Sequence, residues 1–156
     1  MSSYFLDTSG LVKRYVPEMG HRRVRSLCRR GVADNLYIAA IARVEVVAAL
    51  CRMVRQTLPR LSVADRDRLI VRCHQHVRQQ YDAVPVSDSV YARAADLCRV
   101  HPLRAYAAVQ LACALIIRGE AVAAGMAVPI FVCADDALLA AAAVEGLAVE
   151  NPHAHA

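Results

Sequence analysis

Short apolar runs alternate with longer stretches of helical periodicity along the chain. Residues 3–6 (SYFL) form a first strand candidate that stops at Asp7-Thr8-Ser9, polar residues able to cap a helical stretch over residues 11–15. Pro17 breaks that stretch, and an arginine-rich helix is expected over residues 20–30. The run LYIA at 36–39 predicts a second buried strand. It leads into a long helix whose apolar positions Val44, Val47, Cys51, Val54 and Leu58 recur at three- and four-residue spacing. After Pro59, Ser62 and Asp65 form a capping box for a helix with a face of Leu69, Cys73 and Val77. A short strand is expected at 83–86, and Ser87 caps a helix carrying Val90, Ala94 and Leu97, which His101-Pro102 ends. Residues 103–117 are apolar nearly all round, as in a helix buried between other elements. A loop over 120–125 precedes the strand IFVCA at 130–134. Asp135 starts a last helix, Gly146 ends it, and 147–149 supply a final strand.

Apolar strands alternating with helices indicate an α/β fold, a three-layer α/β/α sandwich with a mainly parallel central sheet. In such a sheet functional side chains gather beyond the carboxyl ends of the strands. Asp7 and Asp135 both follow a strand and can face one crevice. Glu45 joins them if its helix starts at the same edge, and there it is surrounded by valines, where an unpaired carboxylate is costly. The length of 156 residues suits one domain, expected over residues 1–150 with a flexible tail at 151–156.

Composition narrows the possibilities only in places. The net charge of +5 permits a polyanionic partner but also plain solubility. Lys13 is the only lysine among 19 basic residues, and the arginine fork suits phosphate and carboxylate alike. The arginines at 22, 23, 25, 29 and 30 read first as a solvated helix face and second as contacts to an RNA backbone. With no tryptophan and 2 phenylalanines, an extended base-stacking platform is not expected. The 6 cysteines form no CxxC pair and no zinc spacing, which favours free thiols in a reducing cytoplasm. No export signal is expected ahead of Asp7. The apolar run at 121–134 is too short to span a bilayer, so no membrane partner is expected.

Two explanations of the acids stand side by side. Asp7 and Asp135 can be helix caps with Glu45 paired to an arginine, or the three can converge on a divalent cation, since Mg²⁺ and Mn²⁺ prefer oxygen ligands. Nucleotide-binding glycine loops, HExxH and the GxSxG elbow are absent from the sequence.

Four ordered segments, YFLDTSGLVKRY, IARVEVVAAL, HPLRAYAAVQLA and FVCADDALLAAAAVEGLAVENP, resemble the PIN-domain ribonucleases, specifically the VapC toxins of bacterial type II toxin–antitoxin pairs. The resemblance implies a PIN-like α/β/α domain that binds Mg²⁺ or Mn²⁺ and cleaves RNA endonucleolytically. It matches Asp7, Glu45 and Asp135 to the family's metal-binding acids, with Asp136 adjacent, and Thr8 and Ser9 to the polar pair that orients the first acid. Arg104 becomes a candidate for contacts near the site. The segment departs from the family's LRAYDA at Ala107, where an aspartate is usual. A ribonuclease attenuated or inactivated at that position is expected, or else a noncatalytic module that binds a cognate antitoxin or RNA. The resemblance further implies an antitoxin protein, a homodimer, and an RNA substrate for which transfer RNA is the first candidate.

Overall fold

The computed structural model describes residues 2–155. Five strands, β1 (Ser2–Leu6), β2 (Ala33–Ala39), β3 (Asp82–Val84), β4 (Ile130–Val132) and β5 (Val149–Glu150), form one sheet in the order β3-β2-β1-β4-β5. Every pairing is parallel. Side chains alternate across the sheet because the strand period is two. Tyr4, Leu6, Leu36, Ile38 and Val132 enter one core, while Phe5, Ala39, Phe131 and Cys133 enter the other. Phe5 and Phe131 sit on neighbouring strands with ring centroids 5.7 Å apart.

Helices cover both faces. The first core is closed by α1 (Thr8–Leu11), a following 3-10 turn, α2 (His21–Leu27), α3 (Ala42–Val54) and α4 (Val63–Gln79). The second is closed by α5 (Asp88–Val100), α6 (Ala105–Ala123) and α7 (Asp136–Val144). The expected three-layer α/β/α sandwich is therefore present, with an entirely parallel sheet. The sheet order reverses direction between β1 and β4, the kind of switch point beyond whose strand carboxyl ends α/β sheets bind their ligands.

Several local expectations need correction. The apolar stripe assigned to α3 does not face the core: Val44 is 68% exposed and Leu58 85%, while Ala42, Val46, Ala49, Leu50 and Met53 are buried. Both sets have helical spacing, and the alanines make the true inner face less conspicuous than the valines. The segment 120–125 is mostly helix, since α6 continues through an alanine-rich turn in which Ala121 is buried and stops before Gly125 at φ 65°. By length and composition α6 could cross a bilayer, yet its core-facing positions from Ala108 to Ala114 are packed inside the domain. At the chain's end, where a loose tail was expected, Pro152–Ala154 form a 3-10 turn and Pro152 is buried. That proline packs on Gly20, which has φ 84° and leaves no room for a Cβ, its ideal position lying 2.8 Å from Pro152 atoms. All 6 cysteines are free, as expected, and Cys28, Cys73, Cys113 and Cys133 are buried.

Candidate functional site

Asp7 leaves the carboxyl end of the central strand, and its amide is held by the Val132 carbonyl at 3.1 Å. It caps α1, with Oδ1 accepting from the Gly10 N–H at 2.9 Å. The Ser9 hydroxyl lies 2.8 and 3.0 Å from the two carboxylate oxygens and donates to them. That same hydroxyl accepts the Ala134 N–H at 2.9 Å, so Ser9 ties the loops after β1 and β4 together. Gly10 makes this approach possible, because a Cβ there would stand 2.7 Å from the Val132 carbonyl oxygen. Asp7 is only 4% exposed. Burial raises its pKa from 3.8 to about 6 against the lowering effect of the Gly10 and Ser9 hydrogen bonds.

Glu45 stands in the first turn of α3, half-buried. Its pKa is raised by burial and pulled back by hydrogen bonding to Gln110 and Thr8. Gln110 Nε2 donates to Glu45 Oε1 at 3.0 Å and to Thr8 Oγ1 at 2.9 Å, bridging α6, α3 and the start of α1. Gln110 is 1% exposed, and its Oε1 is buried without a hydrogen-bond partner. Gln110 was not among the residues expected at the site. The available signal was a lone amide within an otherwise apolar helix, since buried polar groups need partners.

Ala107 lies three residues before Gln110, on the same face of α6 and one turn nearer its N-terminus. The helices α3, α4, α5 and α7 carry Glu45, Asp65, Asp88 and Asp136 in their first turns, whereas α6 has no acid there. Arg104 occupies the N-cap of α6, exposed and without a side-chain capping bond.

On the other side of β1, Asp135 caps α7, its Oδ1 accepting from Ala137 N–H at 2.9 Å and Leu138 N–H at 3.1 Å. Asp136 accepts from Asn151 Nδ2 at 3.1 Å. Between the two loops lies the buried Cys133 thiol, 3.6 Å from Ser9 Oγ and 3.2 Å from the Asp135 N–H. Burial, followed by the charges of Asp7 and Asp135, keeps this thiol protonated well above the ordinary range.

The acids thus do serve as caps at positions 7 and 135, but Glu45 pairs with an amide and not with an arginine. Among the described residues, no three or more His, Cys, Asp or Glu side chains converge as a metal cluster. In donor type the site does fit a hard cation. Asp7 and Glu45 have pKa values raised by burial, neither is hydrogen-bonded to a described lysine or arginine, and Gln110, which donates to Glu45, keeps an unsatisfied amide oxygen.

No protein-family model matches the sequence, and no curated protein matches it. Solved structures do match over nearly the whole chain. The crystal structure of FitAcB from Neisseria gonorrhoeae superposes with a TM-score of 0.60 at 18% identity, covering 98% of this chain and 99% of that one. The structure of FitAB bound to an IR36 DNA fragment gives a TM-score of 0.62 at 20% identity, covering 96% and 95%. The fold is PIN-like.

Within this PIN-like domain, Asp7, Thr8 and Ser9 lie together at the switch point. Glu45 reaches Thr8 through Gln110, and Asp135 joins the group through the Ser9–Ala134 and Cys133 contacts. Asp136 faces Asn151, and Arg104 stays at the outer end of α6.

Proposed function

We propose that this chain is the toxin of a toxin–antitoxin pair, built as a metal-dependent endoribonuclease whose catalysis is attenuated by Ala107. The observation that carries this reading is the buried Asp7 carboxylate at the switch point of a PIN-like sheet. The next residue, Thr8, accepts from Gln110, which also donates to a second carboxylate, Glu45, and no described lysine or arginine is hydrogen-bonded to Asp7. Asp7, Glu45 and Asp135 would hold Mg²⁺ or Mn²⁺, with Asp136 at the margin. When bound, such an ion makes water more nucleophilic and offsets charge developing on phosphoryl oxygens. Ser9 fixes the rotamer of Asp7, and Gln110 fixes Glu45. Glu45, partly open to solvent and with a raised pKa, is placed to accept a proton. Arg104 offers a guanidinium with no ion pair to another described residue, suited to a substrate phosphate. The products would be a 5′-phosphate and a 3′-hydroxyl.

The partner reading is supported by the resemblance of the four ordered segments to VapC toxins and by the two structural neighbours, FitAcB and FitAB bound to an IR36 DNA fragment. An antitoxin partner, a homodimer and a cytoplasmic setting are part of the same proposal, taken from the resemblance to VapC toxins. Transfer RNA is the first RNA to test.

A purified Ala107→Asp variant tests the reading directly. Compared with the parent, it should bind Mn²⁺ more tightly and cleave an RNA pool faster, with cleavage abolished by chelator and by Asp7→Asn. Unchanged Mn²⁺ affinity and no cleavage by the folded variant overturn it. The lack of a three-acid cluster among the described residues favours one second reading, a noncatalytic module that binds an antitoxin or RNA. That module would form its complex in chelator and stay inactive after Ala107→Asp.

A further inference from the structure

Away from the acids, a cavity of about 610 Å³ lies between α2 and α4 and is closed at its inner end by the 3-10 turn after α1. Arg22, Arg25 and Arg29 line one wall. They recur at positions three and four apart on one side of the α2 segment, while Arg23 leaves that side to pair with Glu150 at 2.6 Å. Arg14 and Arg72 contribute the opposite wall, and no aspartate or glutamate lines the cavity.

None of these five guanidiniums forms a salt bridge with a described carboxylate. Arg14 is held in place by neutral groups only, donating to Tyr81 Oη and Gln80 Oε1 and lying 5.3 Å from the Tyr81 ring centroid. At the base of the cavity His76 stacks on Tyr15, with Nδ1 3.1 Å from the phenol oxygen. Burial and the charges of Arg14 and Arg72 lower the His76 pKa to about 4, so that wall stays neutral while the arginines do not.

Like charges one turn apart repel, and the chain keeps them on one wall without acids to offset them. A ligand that supplies several negative charges in a small volume removes that penalty. A lone carboxylate meets one guanidinium, and an extended acidic peptide outruns a cavity of the size that takes small ligands. Adjacent phosphates match both the charge count and the bidentate arginine fork. We infer that the α2–α4 cavity is a binding site for closely spaced phosphate groups, supplied by a free polyphosphate or nucleotide or by an RNA strand. None of its lining residues belongs to the acidic site, and the inference stands whether or not the chain cleaves RNA.

Calorimetric titration in chelator, with no divalent cation, decides it. Tripolyphosphate supplies the phosphates alone, a twelve-residue oligouridylate supplies them on a strand, and oligoglutamate supplies carboxylates. The expected result is saturable tripolyphosphate binding that weakens about tenfold or more in Arg25→Gln/Arg29→Gln and is unchanged in Arg99→Gln, a control on α5. Both replaced arginines are exposed, so the thermal midpoint should be retained. If oligouridylate competes, and its affinity loses about 0.7 of log–log salt slope per arginine removed, the strand is the source. If it does not compete, the source is free polyphosphate. The inference fails if tripolyphosphate does not bind at millimolar concentration, if the double variant binds it as the parent does, if Arg99→Gln loses as much, or if oligoglutamate binds more tightly.

Discussion

Replacing Asp7 with asparagine should stabilise the metal-free protein at neutral pH, although Asp7 sits at the centre of the proposed site. The side chain is buried and its pKa is raised from 3.8 to about 6. An acid whose folded pKa lies above its unfolded value stabilises the fold when protonated in both states. That benefit is lost as pH rises from the unfolded value through the folded one. The shift corresponds to ~3 kcal/mol of lost stability above pH 6, of which roughly 2 kcal/mol develops between pH 4.5 and 7.5. Asparagine keeps an oxygen for the Gly10 N–H and an amide for the Ser9 hydroxyl, and it does not ionise. Urea denaturation of Asp7→Asn and the parent in chelator, at pH 4.5 and 7.5, should show the variant gaining ~2 kcal/mol relative to the parent at the higher pH. A difference between the proteins that does not change with pH refutes the burial argument. Saturating Mn²⁺ should erase the variant's advantage by stabilising the parent alone.

Ser9→Ala removes the donor to Asp7 and the acceptor of the Ala134 N–H. It should cost ~1–3 kcal/mol by urea denaturation, more at pH 7.5 than at 4.5, because Asp7 ionises at a still higher pH without the hydroxyl. Gly10→Ala places a Cβ 2.7 Å from the Val132 carbonyl oxygen. A loss of ~1–3 kcal/mol is expected despite alanine's better helix propensity, and a thermal midpoint equal to the parent's contradicts the close approach. Ala107→Asp should change metal-free stability by less than about 1 kcal/mol. Position 107 is in the first turn of α6, where the helix dipole favours an acid by ~0.3–1 kcal/mol and offsets both lower propensity and repulsion from Glu45. A larger loss in chelator argues that Glu45 and Asp7 are closer to position 107 than this balance requires.

The parallel sheet was legible because its strands carry short apolar runs bounded by polar residues, and the positions of Asp7 and Asp135 followed from strand ends alone. Position 107 was legible only by resemblance, since an alanine in an apolar helix announces nothing. Periodicity failed on α3, where Val44 outweighs Ala42 and Ala49 in hydrophobicity but lies on the outer side. A helix against a sheet needs small residues at its closest approach, and small residues weigh little in a hydrophobic count. Gln110 was invisible for another reason. Its role depends on Thr8 and Glu45, 102 and 65 residues away, a coincidence made by the sheet order and not by local spacing.

The bond from the Asp7 amide to Val132 and the clamp of Ser9 on Ala134 join the first strand's exit to a segment more than 120 residues later. On the ribosome, the central strand has one neighbour once β2 is made and lacks the other until β4 emerges. Its exit loop therefore stays unclamped until then, and the buried carboxylate cannot reach its final setting before residue 134 is released. Under the ribonuclease reading proposed above, this order of assembly withholds the acidic site from RNA until β4 and the segment that follows it have left the ribosome.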